Sequence, residues 1–159
     1  MIDHSSRIIE RDGLAVLREE HRSEKIVFTN GCFDILHRGH AESLASARSL
    51  GDILVVGLNS DSSVSKIKGA GRPLVGQEDR AFVLLELRSV DYVTIFDEET
   101  PLKAIEALRP DILVKGSEYG KDEIVGASLV EGYGGRVVRI DMIEGYSTTQ
   151  LIDRLRGQR

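Results

Sequence analysis

Strand-like and helix-like segments alternate along most of this chain. Five short apolar runs have the composition of buried strands, and amphipathic segments with helical spacing separate most of them. The runs are KIVFT (25–29), DILVVGLN (52–59), DYVTIF (91–96), DILVKG (111–116) and GRVVRI (135–140). Because strands that alternate with helices form parallel crossover units, this order predicts an α/β fold with a doubly wound, five-stranded parallel sheet.

Four helices are predicted between and after these strands. They cover HAESLASARSLG (40–51), QEDRAFVLLELRS (77–89), TPLKAIEALRP (100–110) and STTQLIDRLRG (147–157). Thr100 is expected to cap the third of them, and Ser147 or Thr148 the fourth. A further amphipathic segment, at about residues 9–21, predicts an extra N-terminal helix outside the repeating pattern. We therefore divide the chain into an N-terminal helical extension, residues 1–24, and one α/β domain, residues 25–159.

The composition of the chain argues against several classes of function. The net charge of −5 argues against nucleic-acid binding, which requires a basic surface. The single cysteine cannot form an internal disulfide. The first residues contain no apolar signal-peptide core, and no run of about 18 apolar residues predicts a membrane span. We therefore expect a cytoplasmic protein with no membrane or nucleic-acid partner.

The stretch TNGCFDILHRGH (29–40) contains two of the four histidines, His37 and His40. It follows the first predicted strand and runs into the first predicted helix. Ligands of open α/β sheets bind outside the carboxyl ends of the strands, and a helix N-terminus favours an anion. Gly31 and Gly39 would let the backbone approach such a ligand closely.

The histidine pair has four possible interpretations. A zinc site needs three or four ligands, and only Cys32 and Asp34 are at hand to complete one. A Cys–His hydrolase lacks an oxyanion motif, and a free cysteine is commonly a small buried hydrophobe. The third interpretation is that both histidines are ordinary surface residues at the start of a helix. It does not explain why they lie at the edge of the sheet where ligands are expected to bind. The remaining interpretation is a phosphate site.

Two further stretches favour the phosphate site. SKIKGAGRP (65–73) predicts a glycine-rich basic loop after the second strand, with Lys66, Lys68 and Arg72. EGYSTT (144–149) follows the fifth strand and opens the last helix. A helix cap explains one of its three consecutive hydroxyls but not all of them. Two strand–helix junctions on one edge of the sheet, together with a lysine loop, indicate a polyphosphate ligand.

These motifs carry a family resemblance. GCFDILHRGH and EGYSTT resemble the H-x-G-H and Ser/Thr-rich signatures of the cytidylyltransferase-like branch of the nucleotidylyltransferase superfamily. With GLNSD, KGAGRP, EDRAFVLLEL and LRPDILVKGSEY, the chain is similar over about residues 25–156 to the adenylyltransferase domain of ADP-heptose synthesis enzymes. The resemblance implies a Rossmann-like nucleotidylyltransferase fold for residues 25–159. In relatives this domain is often fused behind a sugar kinase, and we expect a stand-alone form here.

The implied reaction converts ATP and D-glycero-β-D-manno-heptose 1-phosphate to ADP-heptose and pyrophosphate, in the synthesis of the lipopolysaccharide core. The phosphate nucleophile is already anionic, so catalysis reduces to positioning and charge stabilisation. His37, His40 and Lys68, with Lys66 as the alternative lysine, would stabilise charge on the phosphates. Mg²⁺ is expected to bridge the ATP phosphates, with few protein ligands. We also expect a homodimer.

The resemblance also implies substrate-binding residues. The nucleotide and its phosphates are expected to be bound by Thr29, Asn30, Gly31, Phe33, Gly39, Arg80, Lys115, Gly116, Ser147, Thr148 and Thr149. The sugar phosphate is expected to be bound by Asp34, Asn59, Lys66 and Arg72, with Asp34 holding a sugar hydroxyl.

One position departs from the pattern of the cytidylyltransferases. Glycerol-phosphate and choline-phosphate cytidylyltransferases carry an arginine before the last helix, in R-T-E-G-I-S-T, where this chain has Met142. The departure favours ATP over CTP. Two alternatives stay open: an enzyme similar to glycerol-3-phosphate cytidylyltransferase, and a nucleotide sensor without catalytic activity. Retention of both histidines and of the lysines favours an enzyme.

Overall fold

A five-stranded sheet, parallel throughout, forms the centre of the protein. The computed structural model describes residues 3–120, 123–141 and 148–157. The strands are β1 (Ile26–Gly31), β2 (Ile53–Asn59), β3 (Tyr92–Phe96), β4 (Ile112–Gly116) and β5 (Arg136–Ile140). Their spatial order is β3-β2-β1-β4-β5, and every pair is parallel. The chain order reverses at β1, and the doubly wound α/β fold predicted from the sequence is confirmed.

Seven α-helices lie in the described part of the chain. They are α1 (Leu14–Glu20), α2 (Arg38–Arg48), α3 (Asp61–Lys68), α4 (Gln77–Leu85), α5 (Leu102–Leu108), α6 (Ala127–Gly132) and α7 (Thr148–Gly157). Short 3₁₀ turns at Ser5–Arg7 and Arg11–Gly13 precede α1. None of the helices in this part is long and apolar enough to cross a bilayer.

Helix α3 differs from the sequence prediction. The segment SKIKGAGRP was expected to be a loop, but its first four residues form the last turn of α3. The Ser60 side chain caps this helix by accepting a hydrogen bond from Ser63 N, at 3.2 Å. The helix buries only Ser63 and Val64. Its sequence therefore lacks the apolar periodicity that predicts a helix.

The starts of two other helices also differ. Helix α2 begins at Arg38, two residues before the predicted start, and His37 occupies its N-cap position. His40 therefore lies in the first turn. Helix α5 begins at Leu102 with Pro101 at the N-cap position and no side-chain cap, so the predicted Thr100 cap is wrong. A proline before Leu102 fits the helix start without a capping hydroxyl.

The core consists of two apolar layers, one on each face of the sheet. Strand β2 is buried along its whole length, as its continuous apolar sequence requires. Phe28 packs in one layer with Leu14, Ile105 and Leu113. Val27, its neighbour, packs in the other layer with residues of α2 and α4 such as Leu44 and Leu84. Alternating side chains of β1 therefore supply both layers.

The N-terminal extension packs against the sheet. Ile9 N donates to Val93 O, at 2.8 Å, along the edge strand β3. Leu14 and Leu17 of α1 are buried in the same layer as α5. Arg7 donates side-chain hydrogen bonds to the carbonyls of Leu85, Val90 and Asp91. The residues before β1 thus cover an edge that would otherwise be open.

Candidate active site

A cleft of about 480 Å³ lies at the carboxyl edge of the sheet. The ends of β1, β2 and β4 border it with Thr29, Asn59 and Lys115. The starts of α2 and α7 also reach it, through His37 and Thr148. This is the edge where parallel α/β sheets bind ligands, and the motifs singled out in the sequence meet there.

The two histidines form a stacked pair in this cleft. The ring centroids of His37 and His40 are 3.8 Å apart, with 24° between the ring planes. The Phe33 ring lies against His40, at 5.4 Å between centroids. Phe33 and Ile35 have left-handed backbone conformations, with φ of 47° and 57°. The tight turn between β1 and α2 thus directs both imidazoles into the cleft.

Both imidazoles are neutral at pH 7 in this arrangement. Burial, and then the neighbouring His37, lower the pKa of His40 from its ordinary value to about 4. Burial also lowers the pKa of His37. The Nδ1 atom of His40 is buried and accepts no hydrogen bond from any described residue.

The His40 pKa predicts a pH-dependent loss of stability. Between pH 6.5 and pH 4 the unfolded chain binds a proton at His40 that the folded chain does not, so folding weakens as the pH falls. After allowance for solvent screening, we expect the free energy of unfolding to fall by about 1–2 kcal/mol between pH 6.5 and pH 4 because of His40. NMR titration of the His40 ring and urea unfolding at several pH values measure it. His40→Gln is the control that removes this contribution, and an NMR pKa near 6.5 would contradict the prediction.

Of the two candidate lysines, only Lys68 borders the cleft. Lys68 is the last residue of α3, and its side chain is among those lining the cavity. Lys66 is exposed and lies outside that lining. The structure thus places Lys66 outside the cleft lining, and its role at the sugar phosphate stays a prediction. Gly69 and Gly71, with φ of 93° and 87°, form the turn that follows Lys68.

Asp34 does not have the accessible carboxylate that a sugar ligand requires. Its side chain is 1% exposed, and both oxygens accept hydrogen bonds from the protein. The donors are Arg72 Nε at 2.8 Å and the backbone N–H groups of Leu74 and Val75 at 2.9–3.0 Å. Burial alone would raise the Asp34 pKa, but these donors outweigh it and hold the pKa below its ordinary value. The predicted contact between Asp34 and a sugar hydroxyl is corrected accordingly.

Arg80 is also placed differently from the prediction. Its side chain is 1% exposed and lies outside the cleft lining. The guanidinium donates to the carbonyls of Val75, Cys32 and Asn59, at 2.6–2.8 Å, and to Asp61 Oδ1 at 2.7 Å. With four of its five N–H donors bound to protein acceptors, this buried arginine holds together the loops beneath the cleft.

The remaining predicted residues divide into three groups. The cleft lining includes Thr29, Asn30, Gly31, Phe33, Asn59, Arg72, Lys115, Gly116, Thr148 and Thr149. Gly39 is buried within α2 and does not line the cleft. Ser147 and Met142 lie outside the described residues. The Thr148 hydroxyl donates to Asp34 O at 2.8 Å, so its proton is already engaged, whereas Thr149 makes no such bond within the described part.

Lys115 brings a third cation into the cleft from the end of β4, beside Lys68 and Arg72. Burial lowers its pKa, and the neighbouring Glu118 opposes that shift. Its Nζ lies 5.4 Å from the centroid of the Tyr119 ring. An ammonium held in a half-buried, aromatic-lined position interacts strongly with an anionic ligand because water screens it poorly.

Two of the competing interpretations lose support from the structure. Burial raises the pKa of the Cys32 thiol, although Lys68, Arg80 and Arg72 partly oppose the effect. A protonated thiol is a poor nucleophile, which argues against a Cys–His hydrolase. Within residues 3–120, 123–141 and 148–157, no group of three or more His, Cys, Asp or Glu side chains is arranged to hold a metal ion.

Several other residues of the cleft are not predicted from the sequence. One group follows β3 and another follows β4, and both begin at carboxyl ends of strands. They are Glu99, Thr100 and Pro101, and Glu118, Tyr119, Glu123, Ile124 and Val125. The rule that ligands bind at this edge could have identified them, but the segments contain no recognisable phosphate motif.

Comparison with known proteins identifies a family and similar proteins. A family model described as cytidylyltransferase-like matches residues 28–154. A protein named bifunctional protein HldE from Pelobacter propionicus is 54% identical over 155 residues, and one of the same name from Syntrophotalea carbinolica is 53% identical over 156. The alignments cover 96% and 97% of this chain but 32% of each relative. The chain therefore spans about a third of the length of these curated relatives.

Two solved structures are similar in fold. The lipopolysaccharide core biosynthesis protein from Thermoplasma volcanium has a TM-score of 0.66 and 30% identity, over 76% of this chain and 99% of that chain. A pantoate–β-alanine ligase from Francisella tularensis, complexed with β,γ-ATP and β-alanine, has a TM-score of 0.61 over 84% of this chain and 67% of that chain. At 14% identity, the second similarity concerns the fold alone.

Proposed function

This chain belongs to the cytidylyltransferase-like family, and we propose that it transfers the adenylyl group of ATP to D-glycero-β-D-manno-heptose 1-phosphate. The products are ADP-D-glycero-β-D-manno-heptose and pyrophosphate, and the reaction belongs to lipopolysaccharide core biosynthesis in the cytoplasm. The similarity of residues 25–156 to ADP-heptose synthesis enzymes supports the substrate pair. The relatives named HldE and the structure titled as a lipopolysaccharide core biosynthesis protein support it further.

One observation carries the proposal. The stacked His37–His40 pair lies at the start of α2 in the same cleft as Lys68, Arg72 and Lys115. Neutral imidazoles donate hydrogen bonds without adding charge, while three cations in one cleft offset the charge of two phosphorylated substrates. No oxidation, hydrolysis or metal-ligand chemistry is needed to explain this set of groups.

The chemistry is a displacement at the α-phosphorus of ATP. A phosphate oxygen of the sugar 1-phosphate attacks that phosphorus, the bond to the oxygen that bridges to the β-phosphorus breaks, and pyrophosphate leaves. We propose that His37 and His40 donate hydrogen bonds to oxygens on which charge builds, and that Lys68 neutralises the two phosphates brought together. We assign Arg72 to the sugar phosphate, and Lys115 and Thr149 to the triphosphate.

Reactions of this family generally use a divalent cation together with the nucleotide. Such an ion would supply charge neutralisation to the phosphates when ATP is bound. We propose Mg²⁺ in this role. A homodimer remains a prediction from the family resemblance.

Pyrophosphate release tests the proposed function. Purified protein is incubated with Mg²⁺, ATP and D-glycero-β-D-manno-heptose 1-phosphate, and in parallel with glycerol 3-phosphate and CTP. We expect turnover with ATP and the heptose phosphate. Turnover only with glycerol 3-phosphate would assign the protein to the alternative transferase, and nucleotide binding without turnover for any pair would indicate a sensor.

We expect ATP to be preferred to CTP. The reason is the non-basic Met142 at the position where the cytidylyltransferases carry an arginine, together with the closer similarity to heptose adenylyltransferases. Under matched Mg²⁺ and sugar phosphate concentrations, kcat/KM should be higher with ATP than with CTP. Met142→Arg is the informative variant, and we expect it to reduce the preference. Faster pyrophosphate release with CTP in the unmodified protein would contradict the prediction.

A further inference from the structure

Asp34 contacts all three segments that the sequence analysis assigned to phosphate binding. It lies itself in the turn that carries His37 and His40. Its carboxylate accepts hydrogen bonds from Arg72, Leu74 and Val75, in the loop that follows Lys68. Its backbone carbonyl accepts the hydroxyl hydrogen bond of Thr148, at the start of α7. Parts of the chain separated by 38 to 114 residues thus meet at one residue.

We propose that Asp34 is a positioning residue for nucleotidyl transfer, which fixes the Arg72 guanidinium and its loop in the cleft beside the histidine pair. The inference rests on the proposed function, and it assigns to Asp34 a role different from a substrate ligand. The carboxylate is 1% exposed and its oxygens are occupied, so it has no room for a sugar hydroxyl. What it holds is Arg72, whose side chain does line the cleft.

The geometry of the Arg72 contact gives the reason for a carboxylate at this position. Asp34 Oδ2 accepts from Nε, at 2.8 Å, and leaves the two terminal nitrogens of the guanidinium to other acceptors. The Arg72 side chain is 18% exposed, so it is held in one orientation rather than extended into solvent. A planar guanidinium fixed through Nε can meet a phosphate without losing further side-chain entropy.

Charge also favours this arrangement. Lys68, Arg72 and Lys115 all line the cleft, and their mutual repulsion would push the Arg72 loop outward before substrates bind. The Asp34 carboxylate offsets part of that charge from beneath the loop. Backbone donors of Leu74 and Val75 tie the same loop to it. The loop is therefore ordered in the absence of substrate, which is preorganisation for the reaction.

Asp34→Asn separates positioning from substrate contact. The amide keeps the shape of the side chain, but its NH₂ group cannot accept from Arg72 Nε while its oxygen accepts from the backbone donors. Since a misplacement of about 1 Å can cost about 10²-fold, we expect kcat/KM for the sugar phosphate to fall between about 10-fold and 10²-fold. The dissociation constant for ATP should change less than about 3-fold, because the Thr148 contact uses the Asp34 backbone carbonyl, which the variant keeps.

The experiment compares four proteins by steady-state kinetics, ATP calorimetry and thermal unfolding. They are Asp34→Asn, Arg72→Gln, the double variant and Asp52→Asn. Asp52 also accepts a backbone hydrogen bond, from Lys25 N at 2.8 Å, but before β2 at the opposite edge of the sheet. This control should leave kcat/KM unchanged. Asp34 is proposed to act through Arg72 and its loop, so the two substitutions should not add. We expect kcat/KM of the double variant to lie within about 3-fold of that of the more impaired single variant.

The possible outcomes separate this inference from the proposed function. An active unmodified enzyme with a near-normal Asp34→Asn variant would overturn the positioning role, as would single losses that multiply fully in the double variant. If Asp34→Asn does not fold, Arg72→Gln decides: normal kcat/KM overturns the inference, and the expected loss supports it. If the unmodified protein has no turnover, the proposed function fails. Hydrogen exchange at Leu74 and Val75 N–H then tests the inference, which requires at least about 10-fold faster exchange in Asp34→Asn.

Discussion

Replacing His40 by alanine should reduce kcat/KM for pyrophosphate release by about 10²-fold or more, and His37→Ala should do the same. In the cleft the two rings are stacked 3.8 Å apart, so each supplies a donor at nearly the same place. Removal of one donor to a transition-state oxygen typically costs about 3 kcal/mol. The effect on substrate binding should be smaller, because a neutral imidazole donates its strongest hydrogen bond when negative charge accumulates on the phosphate in the transition state.

The stacked geometry links the two variants. Loss of either ring removes the surface on which the other packs, so the double variant should lose less than the product of the single effects. His4→Ala is the matched control, since the His4 ring packs on Phe82 and pairs with Glu86, and it lies outside the cleft lining. Circular dichroism and thermal unfolding establish that each variant is folded. Near-normal rates in both cleft variants would remove the histidines from the mechanism.

The second large effect is expected from Lys68→Ala, which should lower kcat by about 10²- to 10³-fold while ATP binding changes little. Lys68 ends α3 at the cleft, and Gly69 and Gly71 form the turn that follows it. An ammonium in this position meets the greatest negative charge when the two phosphates are forced together. An interaction made mainly in the transition state lowers kcat and kcat/KM equally.

Lys66→Ala is the matched control for Lys68→Ala. It removes the same charge from the same helix two residues earlier, at an exposed position outside the cleft lining. Titration of ATP by calorimetry, beside single-turnover kinetics, separates binding from chemistry. Weak ATP binding with a normal single-turnover rate in Lys68→Ala would make Lys68 a nucleotide-binding residue only. Loss of turnover in Lys66→Ala instead would assign the catalytic role to the other lysine.

The sequence was sufficient for the fold class and for the expectation that the phosphate motifs meet at one edge of the sheet. Five apolar runs separated by amphipathic segments permit few arrangements other than a parallel, doubly wound sheet. The carboxyl edge of such a sheet brings together the ends of β1, β2 and β4, which are far apart in the chain. The placement of His37, Lys68 and Thr149 in one cleft followed from that rule and from the phosphate motifs alone.

Roles that depend on the direction of a side chain could not be obtained in this way. Lys66 and Lys68 have the same charge and lie in the same predicted loop. In the structure they lie two residues apart on a helix, which separates them by about 200° around its axis. Both side chains are exposed, but only Lys68 borders the cleft. The prediction missed α3 because that helix depends on the Ser60 cap rather than on an apolar stripe.

Only the tertiary structure shows that the side chains of Asp34 and Arg80 are buried and hydrogen-bonded within the protein. In the sequence, each is a charged residue close to a phosphate motif, where a substrate contact is the natural expectation. In the folded chain, donors from residues 72–75 occupy Asp34, and four protein acceptors occupy Arg80. A charge can be buried only when such partners surround it, and those partners come from segments far apart in the chain. Local sequence specifies the residues that a site contains, whereas long-range hydrogen bonding decides which of them remain available to a substrate.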